Sequence, residues 1–347
     1  MPIIRKALFK GGKMKINIIA DFAENFNEFE NSKESFNDHM YESEIIYIKD
    51  AICKLGYECN IFGGIDRLIE AYYKRETFEN TLFLNLSDGL HQNYSRLQAP
   101  ILCELLNFKY SGSRPFSVAL MNNKHYSKLA VKEIDILTPK GVLISNIEEL
   151  TRIETLTPPI IIKPNTGGSS DGITQDSVKF NKLEAINKTK KLLLKGYEVI
   201  AEEYISGYEV TTLIIGNKND FRFNETVVYE FSGKLIHKKE VLDANSKANN
   251  ERKGLMACDV FTPNLCNKIA ETSKKIFTHI DATDIARIDY RITEKGDIYF
   301  IEINSQPGIN KFSEGGYICK HKNITFSDLY NEYIDSCLTR YGLINHD

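Results

Sequence analysis

Two short segments near the C-terminal end alternate polar and apolar residues across a polar turn. They run from Ala286 to Arg291 and from Ile298 to Asn304, and the turn from Thr293 to Asp297 contains a glycine. A period of two predicts strands with one buried face, and the short turn predicts that they pair antiparallel. The chain is therefore expected to form a β-hairpin with one polar face.

The polar face of this hairpin gathers oxygen ligands. Asp289 shares a face with Arg287, and Glu302 shares a face with Asn304, so pairing can bring two carboxylates and an amide together. Such ligands suit Mg²⁺ that is also held by substrate phosphates. We predict a metal site at Asp289, Glu302 and Asn304, with Arg287 beside it to meet developing negative charge. The alternative is a solvated hairpin, and the unusual loop 304–308 at the same end argues against it.

Length and charge narrow the class of protein. A chain of 347 residues that is 42% hydrophobic can form two or three domains. A net charge of -3 predicts neither a nucleic acid nor an anionic membrane as partner, and no run approaches the ~18 apolar residues of a membrane span. The seven scattered cysteines favour reduced thiols over a zinc site, so we expect a cytoplasmic protein.

The N-terminal part alternates strand and helix patterns. Apolar strand runs separated by a helical pattern predict a parallel sheet covered by helices, with a ligand crevice near residues 85–89. Residues 1–13 are expected to form a flexible extension, since Met14 opens the first strand pattern and is itself a candidate start. The predicted strands and the helix are 14–20, 42–55 (helix), 57–62 and 81–86.

A glycine- and serine-containing loop follows a buried strand that ends near Lys163. The loop at 164–173 has three glycines and includes Ser169 and Ser170. Glycine lets backbone N–H groups approach phosphate oxygens, and serine hydroxyls add donors. The loop matches neither of the common glycine-rich nucleotide motifs, so the lysine at the strand end is what favours phosphate binding.

Two further segments carry candidate ligands. A predicted helix at 117–131 carries Lys124 and Lys128 at i, i+4, a pattern that in isolation favours a solvated basic face. A strand, turn and strand at 198–216 offer adenine a backbone and carboxylate edge with apolar faces, at Glu202, Glu203, Tyr204 and Ile205, and Glu209 can hold ribose hydroxyls. Read alone, these glutamates are exposed strand residues.

The remaining segments complete the expected secondary structure. Strands at 225–231 and 235–241 are expected to pair, and the polar stretch 242–254 has the length of an active-site lid. A helix at 261–280 precedes the hairpin. A loop at 310–323 and a closing helix at 326–341 follow it.

In this order the motifs resemble those of the ATP-grasp ligases in the D-alanine–D-alanine ligase family. The resemblance runs from about Asn85 to Ser313. Five motifs carry it: Lys124 within 122–128; Lys163-Pro164 with Gly168-Ser169-Ser170-Asp171-Gly172; Glu202-Glu203-Tyr204-Ile205 with Glu209; Asp243-x-x-x-Lys247; and Arg287-x-Asp289 with Glu302-x-Asn304-x-x-Pro307-Gly308.

The resemblance implies a fold and a set of ligands. The fold is α/β, with a parallel N-terminal domain (14–112) followed by two α+β subdomains (113–205 and 206–347) that sandwich ATP. The implied cofactors are ATP and two Mg²⁺ ions, with Mn²⁺ as an alternative. The implied nucleotide residues are Lys124, Lys163, Ser170, Glu202, Glu203, Tyr204, Ile205, Glu209 and Lys247. The implied catalytic residues are Arg287, Ser169 and Lys247, the metal ligands are Asp289, Glu302 and Asn304, and the substrate residues are Gly308 and Ser313.

The chemistry that the resemblance implies is the activation of a carboxylate. The γ-phosphoryl group of ATP passes to a carboxylate oxygen, which gives an acylphosphate and ADP, and an amine then displaces phosphate. Metal ions and lysines neutralise phosphoryl charge in the first step. Arg287 would stabilise the oxyanion of the second step, a contribution of roughly 3 kcal/mol per donor.

The chain departs from the family where the amino-acid substrates bind. The Gly-Gly-x-Ser-x-Glu loop is replaced by 20–25, and the His-Gly-x-x-Gly-Glu-Asp-Gly segment by 85–91. Ala248 stands in place of a tyrosine, and Lys311 and Glu314 in place of smaller or apolar residues. We therefore expect a peptide or amide ligase whose substrates are not two D-alanines.

Several alternatives stay open at this stage. They are an authentic D-alanine–D-alanine ligase with a divergent first domain, a non-catalytic nucleotide-binding module, and another ATP-grasp enzyme such as a carboxylase or a thiol ligase. The oligomeric state is also open, with a homodimer as one alternative.

Overall fold

The fold is taken from a computed structural model that describes residues 14–25, 39–90, 94–167, 174–231, 233–241, 252–310 and 313–344. The predictions for the extension 1–13 and for Ser169, Ser170 and Lys247 lie outside the described residues. Within the described ranges the strands form three sheets.

The N-terminal sheet is parallel, as predicted, with the order β2-β1-β3-β4. All five residues of β3 are buried, because helices cover both faces of the sheet. The strands are β1 (Lys15–Ile19), β2 (Glu58–Gly63), β3 (Thr81–Asn85) and β4 (Lys109–Tyr110), and the helices are α1 (Glu42–Lys54), α2 (Ile65–Lys74) and α3 (Gln98–Leu106).

The expected single helix at 117–131 is instead two helices, α4 (Pro115–Asn122) and α5 (Lys124–Lys132). Asn123 interrupts them with an extended backbone, and its side chain accepts a hydrogen bond from the backbone N–H of Tyr126. An N-cap of this kind starts a new helix. Lys124 therefore becomes the first residue of α5.

The middle sheet is antiparallel, with the order β5-β8-β6-β7. It packs against α6 (Lys182–Leu193) and a 3₁₀ helix (Ile147–Thr155), and this core draws only on residues between Val142 and Ala201. Its strands are β5 (Gly141–Ile144), β6 (Ile160–Pro164), β7 (Val178–Lys179) and β8 (Val199–Glu203).

The third sheet is antiparallel and contains the predicted hairpin. Its strand order is β12-β10-β9-β13-β14, and β11 pairs with β9. The strands are β9 (Gly207–Asn217), β10 (Asp220–Phe231), β11 (Ile236–His237), β12 (Arg252–Met256), β13 (Asp284–Ile292) and β14 (Ile298–Asn304). The helices are α7 (Ala257–Val260), α8 (Pro263–His279), α9 (Glu314–Lys322) and α10 (Phe326–Arg340).

The predicted pairing of 225–231 with 235–241 is wrong. Strand β10 lies between β9 and β12, so both of its edges are occupied, and β11 pairs with β9 instead. A single bridge between Phe231 and Lys234 is what joins the two segments. Residues 252–254 of the expected lid belong to β12, whereas 242–251 lie outside the described residues.

The predicted loop at 310–323 is also wrong, because residues 314–322 form α9. The Gly315-Gly316 pair disfavours a helix by intrinsic propensity. Packing overrides this preference: a Cβ on Gly315 would lie 3.2 Å from Ile309 and 3.3 Å from Leu329, so glycine permits close approach. Buried Ile318 and Cys319 add the apolar contacts.

The largest core joins the first sheet to the third. It contains Ile16 and Ile18 of β1, Ile215 of β9 and Ile334 of α10. The opposite face of the third sheet packs on α8 and α5. None of the helices in the described ranges combines the length and apolar character that a bilayer crossing requires.

Candidate active site

Strands β13 and β14 pair antiparallel, as the alternating sequence pattern predicts. Arg287 lies opposite Asn304, and Asp289 lies opposite Glu302. Tyr290 pairs with Phe300, so Ile301 is an extra residue and forms a β-bulge. The bulge explains why Phe300 faces the core while Glu302, two residues later, lines the cleft.

The carboxylate of Asp289 accepts hydrogen bonds from three neighbouring side chains. Its carboxylate accepts hydrogen bonds from Arg287 Nε (3.1 Å) and Arg287 Nη2 (2.9 Å). It also accepts from Thr211 Oγ1 (2.9 Å) and from Asn304 Nδ2 (3.3 Å). Thr211 was missed in the sequence, because its place opposite Asp289 depends on the pairing of β9 with β13.

The charges in this cluster perturb one another. Burial raises the pKa of Asp289, Arg287 opposes this shift, and nearby Glu302 adds to it, so the net direction is upward. For Arg287, burial lowers the pKa, but Asp289 and Glu314 outweigh burial and the pKa is raised. Asp289 is buried and Glu302 is partly exposed, and a cation bound between these two anions would relieve their mutual repulsion.

The donor set fits magnesium. Asp289 and Glu302 supply carboxylates, and the amide of Asn304 uses its nitrogen on Asp289, which leaves its oxygen for a cation. Among the described residues no group of three His, Cys, Asp or Glu side chains is placed to hold a metal ion, and the predicted set combines two carboxylates with an amide. An all-oxygen set is the one that Mg²⁺ and Mn²⁺ prefer.

Lys124 lies between the metal residues and the glycine-containing loop. Its Nζ is 3.4 Å from Glu302 Oε2 and donates to the backbone oxygen of Gly167 at 2.9 Å. Asn165, which follows β6, positions this turn of α5: its backbone oxygen accepts from Lys124 N–H, and its Oδ1 accepts from His125 N–H. Asn165 is fully buried and was not singled out in the sequence.

Glu202 is buried between two lysines. It lies 2.7 Å from Lys128 Nζ and 2.7 Å from Lys163 Nζ. The solvated basic face is therefore wrong, because Lys124 and Lys128 are only 6% and 4% exposed. Lys128 belongs to the site, and its i, i+4 spacing from Lys124 was the available signal.

The two lysines favour the ionised form of Glu202. Burial raises the pKa of Glu202, but Lys128 and Lys163 lower it by more, to about 2. Burial lowers the pKa of Lys128 to about 8, with Glu202 opposing the shift. Two ammonium groups around one carboxylate leave one net positive charge, and Lys163 lines the cleft.

The residues predicted to hold adenine and ribose form one wall of the cleft. Glu202, Glu203, Tyr204, Ile205 and Glu209 all line it, and the cleft measures about 850 Å³ with its open mouth. The same wall includes contacts that were not predicted. Arg291 forms an ion pair with Glu209 (2.7 Å) and lies over the Tyr204 ring, and Tyr204 OH donates to the backbone oxygen of Glu240.

The two predicted substrate residues lie after the hairpin, outside the cleft lining. Gly308 is exposed, and Ser313 exchanges hydrogen bonds with the backbone of Asn310. Glu314, the next residue, does line the cleft. It is 2% exposed and accepts a hydrogen bond from Tyr229 OH at 2.7 Å.

The acids that replace the family's substrate loop are engaged at helix starts. Asp21 accepts from Ile65 N–H, the first residue of α2, and from Ser87 Oγ. Glu24 accepts from Glu42 N–H, the first residue of α1, at 3.2 Å. Carboxylates are stable at helix N-termini because they meet unpaired N–H groups and the positive end of the helix dipole.

Comparison with known proteins identifies the family. The family described as "D-ala D-ala ligase C-terminus" matches residues 122–335, which contain Lys124, Glu202 and the metal hairpin. This chain belongs to the D-alanine–D-alanine ligase family. The D-alanine–D-alanine ligase of Aquifex aeolicus (strain VF5) is 29% identical to this ligase over 233 residues, which are 66% of this chain and 73% of the relative.

Solved structures confirm the predicted ATP-grasp fold of this ligase. The D-alanine–D-alanine ligase from Bacillus anthracis, complexed with ATP, superposes with a TM-score of 0.68 at 19% identity, over 94% of this chain and 98% of the other. The VanG D-Ala:D-Ser ligase from Enterococcus faecalis gives 0.68 at 21% identity, over 94% and 100%. At these identities the likeness concerns the fold.

Membership of the family settles the reaction class. The family consists of ATP-dependent, ADP-forming ligases that make a carbon–nitrogen bond from small-molecule substrates, with ATP and Mg²⁺, and this chain is a ligase of that class. The alternative of a non-catalytic nucleotide-binding module is not supported.

Proposed function

We propose that this ligase joins a small carboxylate to a small amine other than two D-alanines, through an acylphosphate, using ATP and two Mg²⁺ ions. The observation that carries the proposal is the convergence of Lys163, Glu202, Arg287, Asp289 and Glu302 in one cleft. These residues supply cationic side chains for phosphate groups and oxygen ligands for metal ions, within a cleft large enough for a nucleotide.

Each part of the chain has a distinct task in this proposal. ATP with its metal ions supplies the phosphoryl group and neutralises charge on it. Lys124 and Lys163 hold phosphate oxygens, with Ser170 and Lys247 as further expected ligands outside the described residues. The segment from Glu202 to Ile205 holds adenine, and Glu209 holds ribose, with Arg291 keeping its carboxylate in place.

The second half-reaction depends on residues beside the metal site. Arg287 points its guanidinium into the cleft and stabilises the oxyanion that forms when the amine attacks. Asp289, Glu302 and Asn304 hold the metal ions. Gly308, Ser313 and Ser169 are the proposed substrate-side and catalytic contacts from the family resemblance.

The substrate side supports a pair other than two D-alanines. Asp21 and Glu24, the acids nearest the family's glutamate position, are occupied at the starts of α2 and α1. A Cβ on Gly64 would lie 1.8 Å from Asp21 Oδ1, so that carboxylate is closely packed. A D-amino acid whose ammonium has no partner here would lose several kcal/mol, roughly 3–5.

A second candidate is an authentic D-alanine–D-alanine ligase. The Aquifex aeolicus relative and the Bacillus anthracis structure are both D-alanine–D-alanine ligases, which favours it. The VanG D-Ala:D-Ser ligase has the same TM-score, however, so the shared fold leaves the second substrate open.

The metal assignment is tested by Glu302→Gln. Loss of one carboxylate from the metal set should abolish ADP formation, because a neutral amide cannot replace the charge that balances the cations. Glu294→Gln, in the exposed turn of the same hairpin, is the matched control and should keep wild-type turnover. ADP release and circular dichroism are measured for both. Near-normal turnover by folded Glu302→Gln would contradict the assignment.

The substrate assignment is tested by ADP release with saturating D-alanine as the sole substrate. Feeble or no turnover is expected, since Asp21 and Glu24 are already engaged at the starts of α2 and α1, whereas at least one other pair in a panel of amino acids and dipeptides should support turnover. Products are identified by mass. Robust formation of the D-alanine dipeptide would establish the second candidate instead.

A further inference from the structure

The guanidinium of Arg287 lies between two carboxylates. On one side it makes a bidentate contact with Asp289, at 3.1 Å and 2.9 Å. On the other side its Nη1 is 4.0 Å from Glu314 Oε1. The two partners differ: Asp289 belongs to the proposed metal set, and Glu314 does not.

The contact with Asp289 competes with metal binding. Arg287 engages both carboxylate oxygens of Asp289, and Thr211 and Asn304 donate to them as well. A divalent cation that binds Asp289 has to replace one of these donors, and repulsion between positive charges favours displacement of the guanidinium. A displaced guanidinium that stays largely buried needs another anionic partner, since an uncompensated buried charge is strongly unfavourable.

Glu314 is already held in the position that such a partner requires. Its side chain is 3% exposed, and Tyr229 OH donates to it at 2.7 Å. Tyr229 is itself buried, and the Arg252 guanidinium lies 4.8 Å from the centre of its ring. As the first residue of α9, Glu314 is also stabilised as an anion by the helix dipole.

We propose that Glu314 is a positioning residue that retains Arg287 when a divalent cation occupies Asp289. The inference rests on the proposed metal site. Arg287 exchanges the bidentate contact with Asp289 for Glu314, stays in the cleft, and presents its remaining N–H groups to the reacting carbonyl. Glu314 thereby couples metal binding to the placement of Arg287, the residue that stabilises the oxyanion.

The test is a double-mutant cycle on Mn²⁺ affinity. Free Mn²⁺ is measured by electron paramagnetic resonance, in the presence of a non-hydrolysable ATP analogue, for wild type, Glu314→Gln, Arg287→Gln and the double variant. Glu314→Gln should raise the Mn²⁺ dissociation constant about tenfold, within the range of couplings between contacting residues. In the Arg287→Gln background the same substitution should change it less than about twofold, because no guanidinium remains to be relocated.

Two outcomes overturn the proposal. An equal factor in both backgrounds would mean that Glu314 only attracts cations at a distance, and no effect in either would mean that its role is structural. If Glu314→Gln does not fold, Tyr229→Phe takes its place in the same cycle and should show a smaller coupling of the same sign. Its absence there is likewise contrary to the proposal.

Glu302→Gln separates this inference from the metal site itself. If Glu302→Gln binds Mn²⁺ as tightly as wild type, the proposed metal set is wrong. If Glu302→Gln loses Mn²⁺ and the cycle shows no coupling, the metal set stands and the role of Glu314 fails. Glu314→Asp should restore part of the affinity, since it keeps the charge.

Discussion

Individual cations in the cleft are paired with carboxylates of the same cleft. The pairs are Lys124 with Glu302, Lys163 and Lys128 with Glu202, Arg287 with Asp289, and Arg291 with Glu209. Such pairing holds the side chains in place before ligands arrive, and a preorganised site loses less free energy when it reacts. Glu202 carries two of these pairs with its side chain fully buried, so the site depends on it most.

Replacing Glu202 should be strongly destabilising. Glu202→Gln leaves two buried ammonium groups without a counter-charge, which typically costs about 3–5 kcal/mol of unfolding free energy. Glu154→Gln, which removes a half-exposed ion pair with Lys182 near the same sheet, is the control and should cost less than about 1 kcal/mol. Urea unfolding measures both. Equal urea midpoints for the two variants would refute the role of Glu202.

The pH dependence of that difference has a defined sign. The pKa of Glu202 is lowered in the folded protein to about 2, so the unfolded chain binds a proton first as the pH falls. The stabilisation is present above about pH 4.5 and is lost as the pH falls towards 2. The stability gap between wild type and Glu202→Gln should therefore shrink between pH 6 and pH 3. A constant gap would show that the pKa of Glu202 is the same in the folded and unfolded states, which contradicts the prediction.

Elements with a clear local signal could be predicted, and those that depend on distant partners could not. The antiparallel pairing of β13 and β14 follows from alternating polarity at Arg287, Asp289 and Glu302, whereas the bulge at Ile301 has no local signal. By contrast, α9 forms over a glycine pair because of packing, and β12 pairs with β10 across a long separation, which no local pattern reports. Within the site, Thr211 and Asn165 act through contacts between elements, so the sequence offered no signal for their roles.

Asn165 links the end of β6 to the start of α5 by hydrogen bonds, and its loss should weaken nucleotide binding. Asn165→Ala removes the hydrogen bond to His125 N–H and the bond from its Nδ2 to Glu198 (2.6 Å). Because these bonds position the turn that carries Lys124, we expect about tenfold weaker binding of a fluorescent ATP analogue, the equivalent of a lost bond to a charged group.

The control for this prediction is Asn181→Ala. Asn181 caps α6 by accepting from Glu184 N–H at 2.9 Å, on an exposed surface. Its loss should cost about 1 kcal/mol of stability and leave nucleotide affinity unchanged. If both variants weaken the analogue equally, Asn165 acts through general stability alone.

Across the whole molecule, Arg340 ties three elements together. From α10 it forms an ion pair with fully buried Asp284 of β13 at 2.6 Å, and it donates to the backbone oxygen of Tyr110 in β4. Asp284 also accepts from Gly112 N–H, so the chain that leads from β4 towards α4 is fastened to the third sheet. The predicted domain limits 14–112, 113–205 and 206–347 stay a proposal.

Loss of the ion pair between Arg340 and Asp284 should destabilise the whole chain. Arg340→Met leaves Asp284 buried and unpaired, at a cost of about 3–5 kcal/mol. Adding Asp284→Asn should recover part of the loss, because the two residues are directly coupled. Lys74→Met, which removes an exposed ion pair with Glu70, is the control and should change stability by less than about 1 kcal/mol. Chemical unfolding measures both single variants, the double variant and the control. Strict additivity of Arg340→Met and Asp284→Asn would show that the two residues are not coupled.

The middle sheet leaves and rejoins the rest of the chain at one place. Gly141 pairs with Glu202, and the backbone oxygen of Lys140 accepts from Glu203 N–H, so entry and exit are hydrogen-bonded neighbours. Because this stretch also has a hydrophobic core of its own, recombination during evolution could replace it as a unit. In the proposed assignment the adenine residues 202–205 lie at the exit of this stretch and the metal ligands lie outside it, so the two sets of residues can change independently in evolution.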